Sequence, residues 1–338
     1  MATIYDVARR AEVSPATVSR VVNGHANVDP ALAERVRAAM RELHYRPNAV
    51  ARNLRRSRTT LWAVIIADIG NPFFTALVRG VEDVAQGAGY SVVLCNSDDD
   101  AGKEGQYVDA ALAEQMAGVI ISPSGDAANV NRLIDARVPV VVIDRQADDV
   151  RADTVLVDNE HAAELATTHL IESGYQRIAC ITGPHSVFTA DQRLLGYRRA
   201  LESHGRAFDP ELVRFADFRE QGGYCAMAAL LTLRPRPDAV FAGNNLTTVG
   251  AMECLVDSGI EVPGEMGMVG FDDVPWAHLV RPSLTTVAQP TYELGRTAAD
   301  LLSQRIANPN RAPSTITLNT KLQIRDSSVR SVDLRPGG

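Results

Sequence analysis

Seven short apolar runs, separated by polar turns and helical patterns, constrain this chain more than any other feature. They are "WAVIIAD" at 62, "SVVLCN" at 91, "GVIISP" at 118, "PVVVID" at 139, "RIACITG" at 177, "DAVFAGN" at 238 and "MGMVGFDD" at 266. Continuous apolar runs of this length, alternating with helices, imply parallel strands buried on both faces. The order strand, polar turn, helix in "VIIADIGNPFFTALVRGVE" recurs in "ACITGPHSVFTADQRLLGYRRAL", so two similar α/β lobes are expected after Thr60. Doubly wound lobes bind ligands at the carboxyl ends of their strands, which makes the polar residues after each run the first candidates for a site.

The stretch before Thr60 has a different texture and a different charge. Residues 1–60 hold 11 Arg against 5 Asp or Glu, whereas the remainder holds 23 basic against 36 acidic residues, so a net charge of −7 hides a basic module on an acidic body. A basic module is the electrostatic footprint of a polyanion-binding surface. It reads as short helices. Thr3 with Asp6 starts one whose apolar face is Val7, Ala8 and Ala11; Ser14 with Pro15 starts a second; Asp29 with Pro30 starts a longer third, with Leu32, Val36, Met40 and Leu43 at helical spacing. Helix, tight turn, helix sets a second helix into the major groove. In "VSPATVSRVVNG" Val18, Val21 and Val22 then pack inward, and Ala16, Thr17, Ser19, Arg20 and Asn23 are left to meet DNA. Arg20 suits base reading, since its fork can donate twice to guanine O6 and N7; Thr17 and Ser19 suit phosphates.

"TIYDVARRAEVSPATVSRVVNG" followed by "ELHYRPNAVARNL" resembles the DNA-binding headpiece and hinge of the lactose-repressor/galactose-repressor (LacI/GalR) family, and the similarity runs on to about residue 327. The resemblance implies a multi-domain fold: an all-α helix-turn-helix headpiece (1–46), a hinge helix and linker (47–60), and a two-lobed α/β core with parallel sheets, like periplasmic binding proteins (61–330). The lobes it implies are 61–158 with 290–317 and 159–289 with 318–330. It implies a homodimer on a near-palindromic operator in double-stranded DNA, with Tyr5 and Tyr45 on phosphates and Leu54 entering the minor groove from a hinge helix, Arg55 beside it. Independently, Val50 and Leu54 lie four apart on a helix too short to be stable alone, and Leu54 suits a wedge between base pairs, with packing against the next domain as the alternative. Glu12 stands in the turn where many family members have glycine.

Matching the family's motifs to this chain puts Phe73, Asp144, Arg193, Phe218, Asn244, Asp272 and Gln289 around a cleft between the lobes. Asp144 and Asp272 can accept from hydroxyls, Arg193, Asn244 and Gln289 can donate, and Phe73 and Phe218 can cover ring faces, which suits a sugar or a nucleoside. Taken singly, either aspartate could instead cap a helix and either phenylalanine could be core. Within the family "GYSVVLCN" and "RIACITGP" look most like ribose repressors, purine repressors sharing the framework, while Arg145 replaces a tryptophan those groups tend to carry. The function implied is a repressor whose operator affinity is set by a small polyhydroxylated effector, a sugar such as ribose, or alternatively a purine or nucleoside. The effector can release DNA or tighten the grip on it, depending on its coupling to the hinge.

Other classes find little support. There is no G-x-S-x-G, P-loop or H-E-x-x-H, so no enzyme, catalytic residue, metal or cofactor is expected. Cys95, Cys180, Cys225 and Cys254 lie far apart in apolar surroundings and read as buried free thiols. "DDD" at 98–100 reads as a solvated loop or helix start rather than a cation site. The charged N-terminus and the lack of an 18-residue apolar run point to a cytoplasmic protein without a membrane partner, unlike a stand-alone exported sugar-binding protein.

Overall fold

The computed structural model describes residues 2–22, 28–45, 59–125, 127–147, 149–185 and 187–330. The chain divides into two compact units, Met1–Thr59 and Thr60–Gly338.

In the first unit three helices enclose a small core. Helix α1 (Ile4–Arg10) begins with a capping box in which Thr3 and Asp6 satisfy each other's backbone groups. Helix α2 (Pro15–Val22) follows Ser14, whose Oγ accepts from Thr17 N at 3.1 Å, and α3 (Pro30–Glu42) is capped by Asp29. Val7, Ala8, Ala11, Val18, Val36 and Ala39 form the buried centre; Val21, Val22, Met40, Leu43 and Tyr45 pack around it. The turn between α1 and α2 places Glu12 in the left-handed region (φ 54°), at a cost of about 1–2 kcal/mol for a non-glycine residue. Arg35 steadies this turn by donating to Ala11 O at 2.6 Å and to Glu12 at 3.3 Å.

The second unit is a pair of six-stranded sheets with helices on both faces. The first contains β1 (Leu61–Ile66), β2 (Ser91–Asn96), β3 (Gly118–Ile121), β4 (Val140–Ile143), β5 (Asp153–Val157) and β11 (Thr315–Leu318), in the order β11-β5-β4-β3-β1-β2 and wholly parallel. The second contains β6 (Ile178–Thr182), β7 (Val213–Phe215), β8 (Ala239–Ala242), β9 (Gly267–Phe271), β10 (Thr285–Ala288) and β12 (Lys321–Gln323), in the equivalent order β12-β10-β9-β8-β6-β7, antiparallel only at β12. All seven apolar runs are strands. The chain crosses between sheets after β5, after β10 and after β11.

In chain order the helices of this unit are α4 (Pro72–Gly87), α5 (Ala101–Ala113), α6 (Ala128–Asp135), α7 (Asn159–Glu172), α8 (Phe188–Ser203), α9 (Glu220–Leu231), α10 (Asn245–Asp257) and α11 (Thr291–Ala307). Each sheet has an apolar cluster on either face, such as Trp62, Val64, Leu77 and Leu302 on one side of the first and Ala63, Ile65, Val119 and Leu133 on the other. Helices α4 and α11 meet backbone to backbone: a Cβ on Gly295 would lie 1.9 Å from Leu77 O, so only glycine permits this approach. Cys95, Cys180 and Cys254 are buried as expected, but Cys225 is exposed, because it lies on the outward face of α9 beside Gln221. In "DDD" Asp100 caps α5, Asp98 pairs with Lys103, and Asp99 reaches Arg145. Among the described residues no group of His, Cys, Asp and Glu could hold a metal ion, and no helix is long and apolar enough to cross a membrane.

Candidate ligand cleft and DNA-binding face

A narrow cleft, partly open to solvent, lies between the two lobes of the second unit. Its walls come mostly from segments that follow strands: Asp68 and Asn71 after β1, Asp99 after β2, Asp144 and Arg145 after β4, Asp217 to Arg219 after β7, Asn244 after β8, Asp272 after β9 and Gln289 after β10. This is the carboxyl edge where such sheets leave a crevice. All seven residues expected at the cleft, Phe73, Asp144, Arg193, Phe218, Asn244, Asp272 and Gln289, line it. Four of the residues after strands hold left-handed backbone: Asp99 (φ 59°), Asp144 (φ 68°), Phe218 (φ 61°) and Asp272 (φ 72°). Such strain costs on the order of 1–3 kcal/mol per residue and gathers where a site needs a particular side-chain direction.

Arg193, on α8, is 4 % exposed and held on three sides. Its Nε donates to Asn159 Oδ1 at 2.9 Å, Nη1 donates to Gly243 O at 2.6 Å, and the guanidinium lies 3.7 Å from the centroid of the Phe271 ring. Asp272 accepts from Gln289 Nε2 at 2.5 Å and, more weakly, from the first backbone N–H of α10 at 3.4 Å, so the helix-capping alternative holds only in part. Asp144 accepts from Ser122 Oγ at 3.4 Å. Burial raises both carboxyls above the usual aspartate range, against the pull of the neighbouring arginines, and burial lowers Arg193. Two costly carboxylates and a costly guanidinium thus share one buried space, which favours a ligand able to donate to the first and accept from the second.

The remaining walls are set by packing. Phe73 and Phe74 meet edge to face at 5.0 Å between centroids, and Asn71 caps α4 through Phe73 N at 2.9 Å. Phe218 lies flat over Gly183, where a Cβ would come within 2.1 Å of its ring. Asn244 caps α10 through Thr247 N at 2.8 Å and donates to Phe218 O at 3.0 Å, leaving one of its amide hydrogens for a ligand. Residues that the sequence reading did not assign to the cleft are Asp68, Asn71, Phe74, Asp99, Arg145, Thr189, Asp217 and Arg219. Asn71 and Phe74 had a signal in the "NPFF" helix start, Asp68 in its place at the end of "WAVIIAD", Asp99 in "DDD" and Arg145 in its place after Asp144; Thr189, Asp217 and Arg219 were not singled out.

On the first unit, Tyr5 is 68 % exposed, Ala16 and Arg20 are exposed, and Thr17, Ser19 and Tyr45 are half-buried. Thr17 Oγ1 shares a hydrogen bond with Ser14 Oγ at 3.0 Å, and Tyr45 packs on the helical core. Asn23, Val50, Leu54 and Arg55, with most of the expected hinge, lie outside the described residues.

A helix-turn-helix unit joined to a two-lobed α/β ligand cleft defines a DNA-binding transcription regulator with an effector-sensing core. The family described as "Bacterial regulatory proteins, lacI family" matches residues 3–48, and "Periplasmic binding proteins and sugar binding domain of LacI family" matches residues 59–325. The chain belongs to the LacI family, whose members are DNA-binding regulators and not enzymes. It is similar to the ribose operon repressor of Halalkalibacterium halodurans, 38 % identical over 97 % of both chains. Among solved structures it is similar to the Lac repressor dimer bound to operator and the anti-inducer ONPF (TM-score 0.87, 29 % identity, 97 % of this chain and 99 % of that one). It is also similar to a LacI family regulator from Enterococcus faecium with bound ribose (TM-score 0.72, 29 % identity, 80 % of this chain and 98 % of that one).

Proposed function

We propose that this repressor binds a near-palindromic operator as a homodimer in the cytoplasm and that its grip on DNA is set by an unphosphorylated sugar, D-ribose first, held between the lobes. The observation that carries the sugar reading is the buried group of Asp144, Asp272 and Arg193 at one cleft, with acceptors and a donor facing the same space. Asp144 and Asp272 take hydrogen bonds from hydroxyls, Arg193, Asn244 and Gln289 give them, and Phe73 and Phe218 cover the apolar ring faces. The names of a relative that represses a ribose operon and of a regulator holding ribose support the choice of sugar. On the DNA side Arg20 reads a base edge from the major groove, Ala16 abuts one, and Tyr5, Thr17, Ser19 and Tyr45 hold phosphates, with Asn23, Leu54 and Arg55 assigned from the sequence.

The test is a calorimetric titration of the full chain with D-ribose, D-glucose, adenosine and hypoxanthine, followed by operator binding with and without whichever ligand binds. Binding of D-ribose with a change in operator affinity is the expected result. Binding of adenosine or hypoxanthine in place of ribose overturns the sugar assignment and supports the purine alternative.

A further inference from the structure

We propose that Arg9 is a further DNA-contacting residue: its guanidinium meets a backbone phosphate of the duplex, one helical turn along α1 from the phosphate assigned to Tyr5. The inference rests on the helix-turn-helix reading of the first unit, with α2 in the major groove, and deepens it.

The charges of that unit lead to Arg9 by elimination. All five carboxylates of residues 1–60 are engaged within the unit. Asp6 accepts from Thr3 N at 2.8 Å and from Thr3 Oγ1 at 2.7 Å, and Asp29 accepts from Ala31 N and Leu32 N. Glu12 pairs with Arg35, Glu34 with Arg37 and Arg41, and Glu42 with Arg10. Those pairs answer every described arginine of the unit except two. Arg9 and Arg20 make neither a hydrogen bond nor an ion pair among the described residues. Arg20 belongs to α2 and is assigned to a base edge, which leaves Arg9 as the second uncommitted cation.

Its place on the helix gives its direction. Tyr5 and Arg9 stand four residues apart on α1, so they share a face and are separated by about 6 Å along the axis. Both are exposed, while Val7 and Ala8 turn into the core. Arg10 lies on the other flank of α1, where it reaches Glu42 at the end of α3 at 2.7 Å. The flank carrying Tyr5 and Arg9 is therefore turned away from that end of α3.

An exposed guanidinium with no bound carboxylate suits a phosphate, whose oxygens it meets in a charge-assisted fork. Arg10 is not available in the same way, because releasing it would strand Glu42. A phosphate contact carries no sequence information; it fixes the protein on the duplex and adds affinity that salt weakens.

The experiment measures binding of the full chain to operator and to random DNA across a range of potassium chloride, without ligand and with D-ribose. The variants are Arg9→Gln, Arg9→Lys, Arg10→Gln and Tyr5→Phe. Arg9→Gln should bind both DNAs more weakly at low salt, with a log–log salt slope shallower by about 0.9 per headpiece, or about 1.8 for a homodimer. Its deficit should therefore shrink about tenfold between roughly 50 and 200 mM salt. Arg9→Lys should restore the slope. Arg10→Gln removes the same formal charge one residue away and should leave the slope near wild type; an equal change in both would show a general charge effect and overturn the contact. Tyr5→Phe should weaken binding without changing the slope, since no charge is lost. If Tyr5→Phe weakens binding and Arg9→Gln keeps the wild-type slope, the Arg9 proposal alone falls. If neither has an effect, this face of α1 does not lie on the backbone and the reading of Tyr5 falls too.

Discussion

Asn245 Nδ2 donates to Asn71 Oδ1 at 2.8 Å, joining the first turn of α10 in one lobe to the N-cap of α4 in the other. Both side chains are buried, and the same Asn71 oxygen accepts from Phe73 N, so the cap of one lobe and the link to the other rest on one atom. A second link, Arg219 to Asp68 at 3.4 Å, is half-exposed. Asn245→Ala should lower the stability of the core by about 1 kcal/mol, a melting shift of roughly 2 °C, because it removes a buried hydrogen bond while Asn71 keeps Phe73 N. Asp68→Asn should shift it by less than about half of that, as an exposed ion pair does. Thermal melts of the two variants check the order, and equal losses would show that the buried link contributes nothing special.

Asp144 should trade stability for binding. Burial raises its pKa, so the folded chain holds that proton to higher pH than the unfolded chain does. The ionised form therefore costs stability at neutral pH, and the cost is relieved as pH falls through the raised folded value toward the ordinary 3.8. Asp144→Asn removes the cost. At pH 7 the ligand-free variant should be the more stable of the two, with the gap closing on acidification, and it should bind D-ribose about tenfold or more weaker. Melting curves across pH with calorimetry check both halves, and a variant less stable at pH 7 would refute the first.

Much of this is legible in the sequence, for identifiable reasons. Runs such as "WAVIIAD" announced strands because both faces are buried, and Thr3, Ser14 and Asp29 announced helix starts because capping is local. Strand β5 was not legible: it opens on Asp153, whose side chain is wholly buried only because Arg305, Arg311 and Ser314 converge on it from across the sheet. Strands β11 and β12 are half-exposed edges with no continuous apolar run. In the cleft, Asp144 and Asp272 were marked by their motifs, whereas the pairing of Asp68 with Arg219 joins positions 151 residues apart and depends on the lobes being brought together.

Gly183→Ala tests the wall made by Phe218. The added Cβ would fall about 2.1 Å from the ring, so the ring must leave its seat. Phe218 is only half-buried, so the fold should tolerate the move while the cleft loses a ring-covering surface. Ribose affinity should fall by about tenfold with a melting temperature within roughly 2 °C of wild type. Undiminished binding in calorimetry would remove Phe218 from the site.

Arg20→Ala should relax operator specificity. Arg20 is exposed on α2, on the side away from buried Val18, and its loss should cost roughly 1–3 kcal/mol on the cognate operator while leaving random DNA nearly unaffected. Competition binding at fixed salt measures both. Equal losses on cognate and random sequence would assign Arg20 to a phosphate.

Arg193 should separate effector sensing from DNA binding. It supplies the buried positive charge between Asp144 and Asp272, and it also holds Asn159 and Gly243, so removing it outright leaves two buried carboxylates with less compensation. Arg193→Ala should therefore lose about 3–5 kcal/mol of stability, as broken buried charge networks do, and its binding data would be hard to interpret alone. Arg193→Lys keeps the charge but lacks the fork that spans Asn159 and Gly243 while donating to a ligand. It should melt within a few degrees of wild type yet bind D-ribose about tenfold to a hundredfold weaker. Because the headpiece is untouched, ligand-free operator affinity should match wild type, and added ribose should change it only at correspondingly higher concentration. Calorimetry paired with operator titrations at several ribose concentrations separates the outcomes: normal ribose binding by Arg193→Lys removes Arg193 from the site, and normal ribose binding with lost operator affinity would mean that this residue couples the lobes to DNA instead of holding the effector.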